Sequence, residues 1–493
     1  MRLGMTVTPL SVVIAYLILT TLVGIALGRR ARSARDWAVA GGSIGTFMLA
    51  ATIAGTRVGG AGIYGVAGDV ITGGIWNLIW YAVGTFLALS IVGLWFAVPY
   101  RRLGLQTVGE AFTIRFGSRR GQALTSLCVQ TEYLIVNVIE VYITAGLLRF
   151  MTGISVPVAT TCAVVVLVSY TAFGGLWGAA YTNLIHCGVI FIGLSSVAVL
   201  GTASLGGFDA VVRAVGEKLA LAGRDESAFW SVAGEGVGPI VAMIFSAAIH
   251  TPAASIYANL STAAKTEKQL PGTFVLAGFG AGLMPVLAGI IGILTLARYG
   301  AAKGLSGYAI ITTFATETSP WLGGLAIAAI LAAVVSTGGP ILLSSATLFV
   351  RDWLPARVTA TPERTLRAYR LATVAYGIVS GGLSLLVVKS GVSLLSLLLF
   401  GYATVVPPAI ALFFLLYWRR TTETSVLWGM GLGYAASVLS YALVRVGWST
   451  VDPSYASTLV PLLVIPLLVL ALPPSADAKE ERFRGILSAP QTS

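Results

Sequence analysis

The sequence predicts an all-α integral membrane protein of about 13 transmembrane helices, with its N-terminus outside and its C-terminus cytoplasmic. Three observations carry this. The 493 residues are 56% hydrophobic and only 10% charged, with a mean hydropathy of +0.88, whereas soluble domains carry about 25% charged residues. Apolar windows near the 20 residues needed to cross a bilayer recur along the whole chain. Lys and Arg collect in alternate short loops, as the positive-inside rule expects.

The windows fall at 8–28, 44–68, 75–98, 122–149, 155–173, 178–200, 238–258, 272–297, 322–349, 369–388, 392–417, 425–445 and 457–472. The first is longer than the apolar core of a signal peptide and is followed by Arg29 and Arg30, so it reads as a helix with a stop-transfer flank. The least distinct boundary is "TAFGGLWG", between the fifth and sixth. With the N-terminus outside, the inner loops and tail hold 21 of the 31 Lys and Arg. The net charge of +12 is then a membrane signature, and no nucleic-acid partner is expected. The long outer loop, 201–237, is expected to carry an amphipathic helix around "FDAVVRAVGEKLALA". The tail from Pro473 is polar and reads as disordered. Trp76, Trp95, Tyr100, Tyr417 and Trp418 suit interface belts. Cys128, Cys162 and Cys187 have neither metal nor disulfide spacing and read as small buried hydrophobes.

Two windows are interrupted. Within 44–68, the stretch "ATIAGTRVGGAGIYG" places Arg57 among Gly55, Gly59, Gly60, Gly62 and Gly65. A charge at mid-membrane costs roughly 2.5–3.5 kcal/mol on insertion scales. Within 238–258, Pro252 sits near the middle with His250 beside it. Residues 1–472 then read as one transmembrane domain. Helix 8–28 is an addition, 44–200 and 238–417 are two five-helix repeats of opposite orientation, 425–472 adds two helices, and 473–493 is a short tail. Each repeat opens with a broken helix. Unwound backbone at this depth is tolerated where it lines a cavity or is buried in protein, and there it can serve an ion or solute site.

Several stretches resemble the sodium:solute symporter family. "DWAVAGGSIGTFMLAATIAGTRVGGAGIYGVAG" is similar to the family's first core helix, and "GLQTVGEAFTIRFGSR" to its Thr…Glu…Arg-Phe-Gly loop. "YTAFGGLWGAAYTNLIHCG" resembles its Gly-Gly signature, "STAAKTEK" its Ala-Ala-Lys, and "STGGPILLSSATLFVRD" its eighth core helix. The resemblance implies thirteen helices, the five-plus-five inverted-repeat (LeuT-like) fold, and cotransport of a small solute with sodium. It also implies a sodium site: carbonyls of Gly55, Val58 and Ala333 with the hydroxyls of Ser336 and Thr337. Such oxygens suit a small hard cation. Ala333, Ser336, Thr337, Pro340 and Ser344 share one helix face.

The departures from the family are specific. Asn183 and His186 stand at the family's Asp and Gln positions, Gly339 and Pro340 replace an Asp-Ser, and Asn259 and Leu260 replace a Gln-Arg. Arg57 has three readings: it meets an anionic solute, it pairs with an acid of the protein, or it takes the place of the cation. Glu132 and Glu140 are the acids clearly inside another span. Tyr133, Asn137, Glu140 and Thr144 form a polar stripe within about 60°, which makes Glu140 the expected inward-facing acid. Such a Glu could also couple transport to protons. His250, Trp76, Asn77, Trp80 and Tyr257 are further cavity candidates.

A membrane enzyme finds no support, because no metal cluster, nucleophile elbow or phosphate loop is present and "GGAGIYG" follows no soluble strand. A sensor would need a signalling domain, for which the tail leaves no room. The expected function is a sodium-coupled symporter of a small organic solute, carboxylate-bearing by the weight of Arg57, in the cell membrane. It is expected to act as a monomer with no organic cofactor. The alternative is a sodium-independent or proton-coupled carrier of the same fold.

Overall fold

In lipid, every backbone N–H and C=O must find a partner inside the protein, so a chain this apolar is confined to helices or a closed barrel. The protein is seen here in a computed structural model that describes residues 7–28, 33–234, 236–300, 307–355, 357–390, 394–473 and 478–488. Among these it is helical, with one isolated parallel bridge between Ile44 and Ala264.

Helix α1 (Val7–Gly28) and the short α2 (Ala34–Val39) precede the first broken element. That element is α3 (Thr46–Arg57), a gap at 58–60, a π-turn (Ala61–Gly65) and α4 (Val66–Gly73). Then come α5 (Trp76–Ile91), α6 (Ala97–Leu103), α7 (Glu110–Phe116), α8 (Arg120–Thr152) and the long α9 (Val156–Ser204). The long loop after α9 holds α10 (Phe208–Leu221), where the amphipathic helix was expected, and α11 (Glu226–Phe229). The second broken element is α12 (Val237–Ile249), a 3-10 turn (Thr251–Ala253) and α13 (Ser255–Ala263). It bends by 56°. Next follow α14 (Leu270–Tyr299), α15 (Gly307–Thr318), α16 (Pro320–Leu348), α17 (Pro362–Ser390), α18 (Leu394–Tyr417), α19 (Glu423–Arg445), α20 (Pro453–Ala471) and α21 (Ala478–Ser488).

Each expected window falls on a helix or a helix pair. Nine helices are long and apolar enough to cross a membrane among the described residues, or ten with the bent pair counted as one. The stop-transfer arginines, Arg29 and Arg30, lie outside the described residues. Helices α2, α7 and α15 were not anticipated, being too short for an apolar window.

Helix α16 is the axis of the molecule, buried along almost its whole length, while α17, α19 and α20 are mostly exposed at the rim. Small residues on α16 let neighbours approach closely. The two broken elements meet at one end. There Ile44 N donates to Ala263 O and Lys265 N to Ile44 O, both at 2.9 Å. At the expected "TAFGGLWG" boundary two helices meet within α9, at a sharp kink where Gly175 takes φ +53° and ψ −157°. The kink makes room for Trp37 of α2, which donates to Ala172 O at 3.3 Å and stacks on Tyr369.

Three expectations are corrected. The tail is not disordered over 478–488: α21 packs against the bundle with Phe483 buried. Arg115 of α7 ion-pairs with Glu480 at 2.8 Å and donates to carbonyls at the end of α18. Burial pushes the Arg115 guanidinium down to about 10. The charges that made the tail look solvated are used in docking it. Tyr100 and Trp76 are buried rather than in a belt, whereas Trp95 and Tyr417 are exposed. Cys162 is exposed, while Cys128 and Cys187 are buried.

The kink gives a test. A Cβ on Gly175 would sit 2.8 Å from both Cδ1 and the carbonyl oxygen of Trp37, and its backbone conformation alone costs a non-glycine residue about 1–3 kcal/mol. Gly175→Ala is expected to lower the thermal midpoint of the detergent-purified protein. Gly188→Ala, with nothing within 4 Å, is expected to leave it unchanged.

Candidate functional site

The gap in α3 leaves carbonyls and N–H groups without helical partners. Two neighbouring helices meet them. From α16, Ser336 Oγ donates to Gly55 O at 2.9 Å and Thr337 Oγ1 to the same oxygen at 3.0 Å. Ser336 Oγ also lies 2.9 Å from Ala333 O. From α8, Glu140 Oε2 accepts from Gly60 N at 3.2 Å. Gly55 carries no side chain because α16 passes against it: an added Cβ would be 3.2 Å from Ser336 Cβ and from Asn183 Nδ2.

Four neutral oxygens from two elements therefore converge: Gly55 O, Ala333 O, Ser336 Oγ and Thr337 Oγ1. Hydroxyls donate or accept as their protons rotate, so the same atoms that now close on Gly55 O can turn lone pairs to a cation. Asn183 backs this group. Its Nδ2 donates to Thr52 O at 3.2 Å and Ser336 O at 3.1 Å. Val58, the remaining expected ligand, is buried at the gap. The residue types and their grouping fit a small monovalent cation.

Beside the gap is a cavity of about 50 Å³, lined among others by Arg57, Gly59, Glu132, Glu140, His250 and Tyr257. That is room for a few water molecules, so an organic solute requires the lining to move. The Arg57 guanidinium turns toward the second broken element. It donates to Ala247 O at 3.1 Å and Thr251 Oγ1 at 3.4 Å, and lies 3.4 Å from His250 Nε2. The ring of Tyr402 supports both residues: His250 stacks on it at 4.0 Å, and Arg57 lies 5.8 Å from its centroid.

No Arg57–Glu140 ion pair forms. The acid on the Arg57 side is Glu132, whose Oε1 is 3.7 Å from His250 Nε2. One imidazole nitrogen thus faces a donor and an acceptor and can satisfy only one of them at a time. The polar stripe of α8 does face inward, but it serves both gaps. Tyr133 Oη accepts from Ile256 N at 2.8 Å at the second break, Asn137 donates to Ser345 Oγ, and Glu140 serves the first.

Other expected site residues lie elsewhere. Trp76, Asn77 and Trp80 are not among the residues lining this cavity; Trp76 and Asn77 donate to Gly73 O and Asp69 O at the corner between α4 and α5, and Trp80 donates to Val232 O of the loop before α12. His186 accepts or donates at 2.8 Å with Tyr16 of α1, joining the added helix to α9. Tyr81 and Tyr402 line the cavity and were missed, since a single tyrosine in an apolar span has no spacing signal. Thr251, beside His250 and Pro252, was legible as part of the break.

The model of the family described as "Sodium:solute symporter family" matches residues 37–433. The chain belongs to the sodium:solute symporter family. A high-affinity choline transporter of Drosophila melanogaster is 34% identical over 192 residues, which is 37% of this chain and 30% of that protein. The human sodium/glucose cotransporter 4 is 25% identical over 489 residues, 90% of this chain and 70% of that protein. Among solved structures, a Na⁺-coupled sialic acid symporter in a substrate-bound, outward-open state matches with a TM-score of 0.79 at 19% identity, covering 96% of this chain and 99% of that one. A nucleobase-cation-symport-1 family transporter in a closed conformation matches at 0.58 and 18%, covering 91% and 98%. These likenesses show the inverted-repeat, LeuT-like fold.

The assignment of Glu132 to Arg57 is testable by double-mutant cycles. Arg57→Gln and Glu132→Gln are expected to show a coupling of about 1–3 kcal/mol in thermal or chemical unfolding, as for members of one buried network. The Arg57→Gln, Glu140→Gln cycle is expected to couple less. A larger coupling to Glu140 would overturn the assignment.

Proposed function

We propose that the protein is a secondary active transporter of the cell membrane that couples a small organic solute to sodium by alternating access. The observation that carries this is the convergence of Ser336 Oγ and Thr337 Oγ1 on Gly55 O at a helix break. In this reading Gly55, Val58, Ala333, Ser336 and Thr337 hold the ion. It joins the first broken element to α16, so its arrival changes the balance between hinge conformations.

The solute enters the cavity between the two breaks and carries a carboxylate. Arg57 supports that class, because no carboxylate of the described residues lies within ion-pair distance of it. A buried guanidinium so placed gains a strong, often bidentate, partner when a carboxylate arrives. The geometry gives less support to Arg57 as a substitute for sodium, since its guanidinium bonds to the second break instead of the oxygen group.

Thermal unfolding in sodium, potassium and N-methyl-D-glucamine chlorides at equal ionic strength tests the ion. A ligand that binds only the folded state stabilises it by about 2.7 kcal/mol at a hundred times its Kd. Saturable stabilisation specific to sodium is expected, and it should disappear in Ser336→Ala/Thr337→Ala. An equal response to all three salts would sink sodium coupling. For the solute, Arg57→Gln should abolish uptake of carboxylates while the sodium response persists; unchanged uptake would remove the carboxylate class.

A further inference from the structure

The oxygen group at the first break is neutral, yet a buried carboxylate stands beside it without a cation. Glu140 is 2% exposed. Among the described residues it forms no ion pair, and its carboxylate accepts one hydrogen bond, from Gly60 N to Oε2. Oε1 is turned the other way along the gap. A single carbon added to Gly59 would touch both Glu140 Oε1 and the Thr337 methyl Cγ2, so the carboxylate and the Thr337 side chain border the same glycine. Gly59 is glycine at a point where the carboxylate fills the space of a side chain.

The cavity's charges do not resolve this. Two carboxylates, Glu132 and Glu140, face one guanidinium, Arg57. Glu132 shares His250 with Arg57, whereas Glu140 shares nothing with it. Asn183, on the other side of the oxygen group, is neutral and presents its N–H donors to carbonyls. A carboxylate left buried without a counter-charge is strongly destabilising, and intramembrane acids of this kind mark ion or substrate pathways.

We propose that Glu140 is the charge partner of a monovalent cation, sodium, held between its Oε1, Thr337 and the carbonyls of the first break. The ion is thus bound by neutral oxygens on one side and by a full negative charge from α8 on the other. This rests on the sodium reading above. It adds a third element, α8, to the two that the ion joins, and it means that sodium cancels the excess negative charge of the cavity. The solute that accompanies it then has no net charge to neutralise there, so a carboxylate at Arg57 would belong to a zwitterion.

The test is a sodium titration read by thermal midpoint, in a potassium background, on wild type, Glu140→Gln and Glu140→Asp. Half-saturation is expected at a sodium concentration at least tenfold higher in Glu140→Gln, with a smaller increase in Glu140→Asp. A wild-type response to sodium with unchanged half-saturation in Glu140→Gln would overturn the proposal and leave sodium coupling standing. No response in wild type would instead remove the sodium reading itself. Choline, titrated alone, separates the other cationic source: stabilisation by choline that Glu140→Gln removes, with sodium unaffected, would assign Glu140 to a solute's ammonium and overturn the proposal. If Glu140→Gln does not fold, wild type is treated with dicyclohexylcarbodiimide, and adducts are mapped by mass spectrometry. Sodium is expected to protect Glu140 from the reagent; equal labelling in sodium and potassium would overturn the proposal.

Discussion

Everything at the centre of this protein depends on how two interrupted helices satisfy their backbone away from water. An unpaired peptide group in an apolar medium costs several kcal/mol, so each gap needs side chains from elsewhere. Helices α8 and α16 supply them. Glu140 and Tyr133, two turns apart on α8, accept N–H groups at the two breaks, from Gly60 and from Ile256 in the first turn of α13. Ser336 and Thr337 of α16 meet Gly55 O, Tyr100 donates to Pro252 O, and Ser344 of α16 reaches Asn259 of α13 at 3.1 Å. The polar residues of these two apolar helices are therefore a consequence of the breaks. They also make the breaks usable, because each borrowed bond is one that a ligand can take over.

The charged residues follow a similar division. Arg57 lies at the C-terminal end of α3, where a helix's partial negative charge favours a cation, and its guanidinium crosses to the end of α12. It ties one broken helix to the other through His250, Thr251 and Ala247, with Tyr402 as a platform. These bonds are between 3.1 and 3.4 Å, long for hydrogen bonds to a guanidinium. Such a contact holds the cavity wall without committing Arg57 fully, as the proposed exchange of a protein partner for a solute requires.

The breaks and the spans were legible because they rest on local chemistry: glycine and proline weaken a helix wherever they stand, and apolar windows persist whatever they pack against. The inward stripe on α8 was legible for the same reason, since helical spacing alone aligns Tyr133 with Glu140. The partner of Arg57 was not. Glu140 and Glu132 lie on one helix about 80° apart, and the choice between them depends on how α8 is rotated against α12 and α18, a tertiary fact. The partners of Trp76, Asn77 and Trp80 were not legible either: Trp76 and Asn77 turn back to Gly73 O and Asp69 O, and Trp80 reaches Val232 O of a distant loop. The tail failed differently. Glu480 and Arg484 look like solvated charges in sequence, and only the position of Arg115 and of the end of α18 turns them into a docking face.

One consequence concerns how an ion can act on a hinge at all. Ser336 and Thr337 bring their hydroxyls within hydrogen-bond distance of Gly55 O, so the first break is joined to α16 by neutral bonds. On the proposed sodium reading, a cation entering this group must turn those hydroxyl protons away. It therefore replaces two directional hydrogen bonds with non-directional attraction to the same oxygens, and its net effect is smaller than its gross affinity for them. On that reading a bound ion favours whichever hinge conformation also brings negative charge close, and in this cavity the acid at the first break is Glu140, held by the N–H of Gly60 within that break.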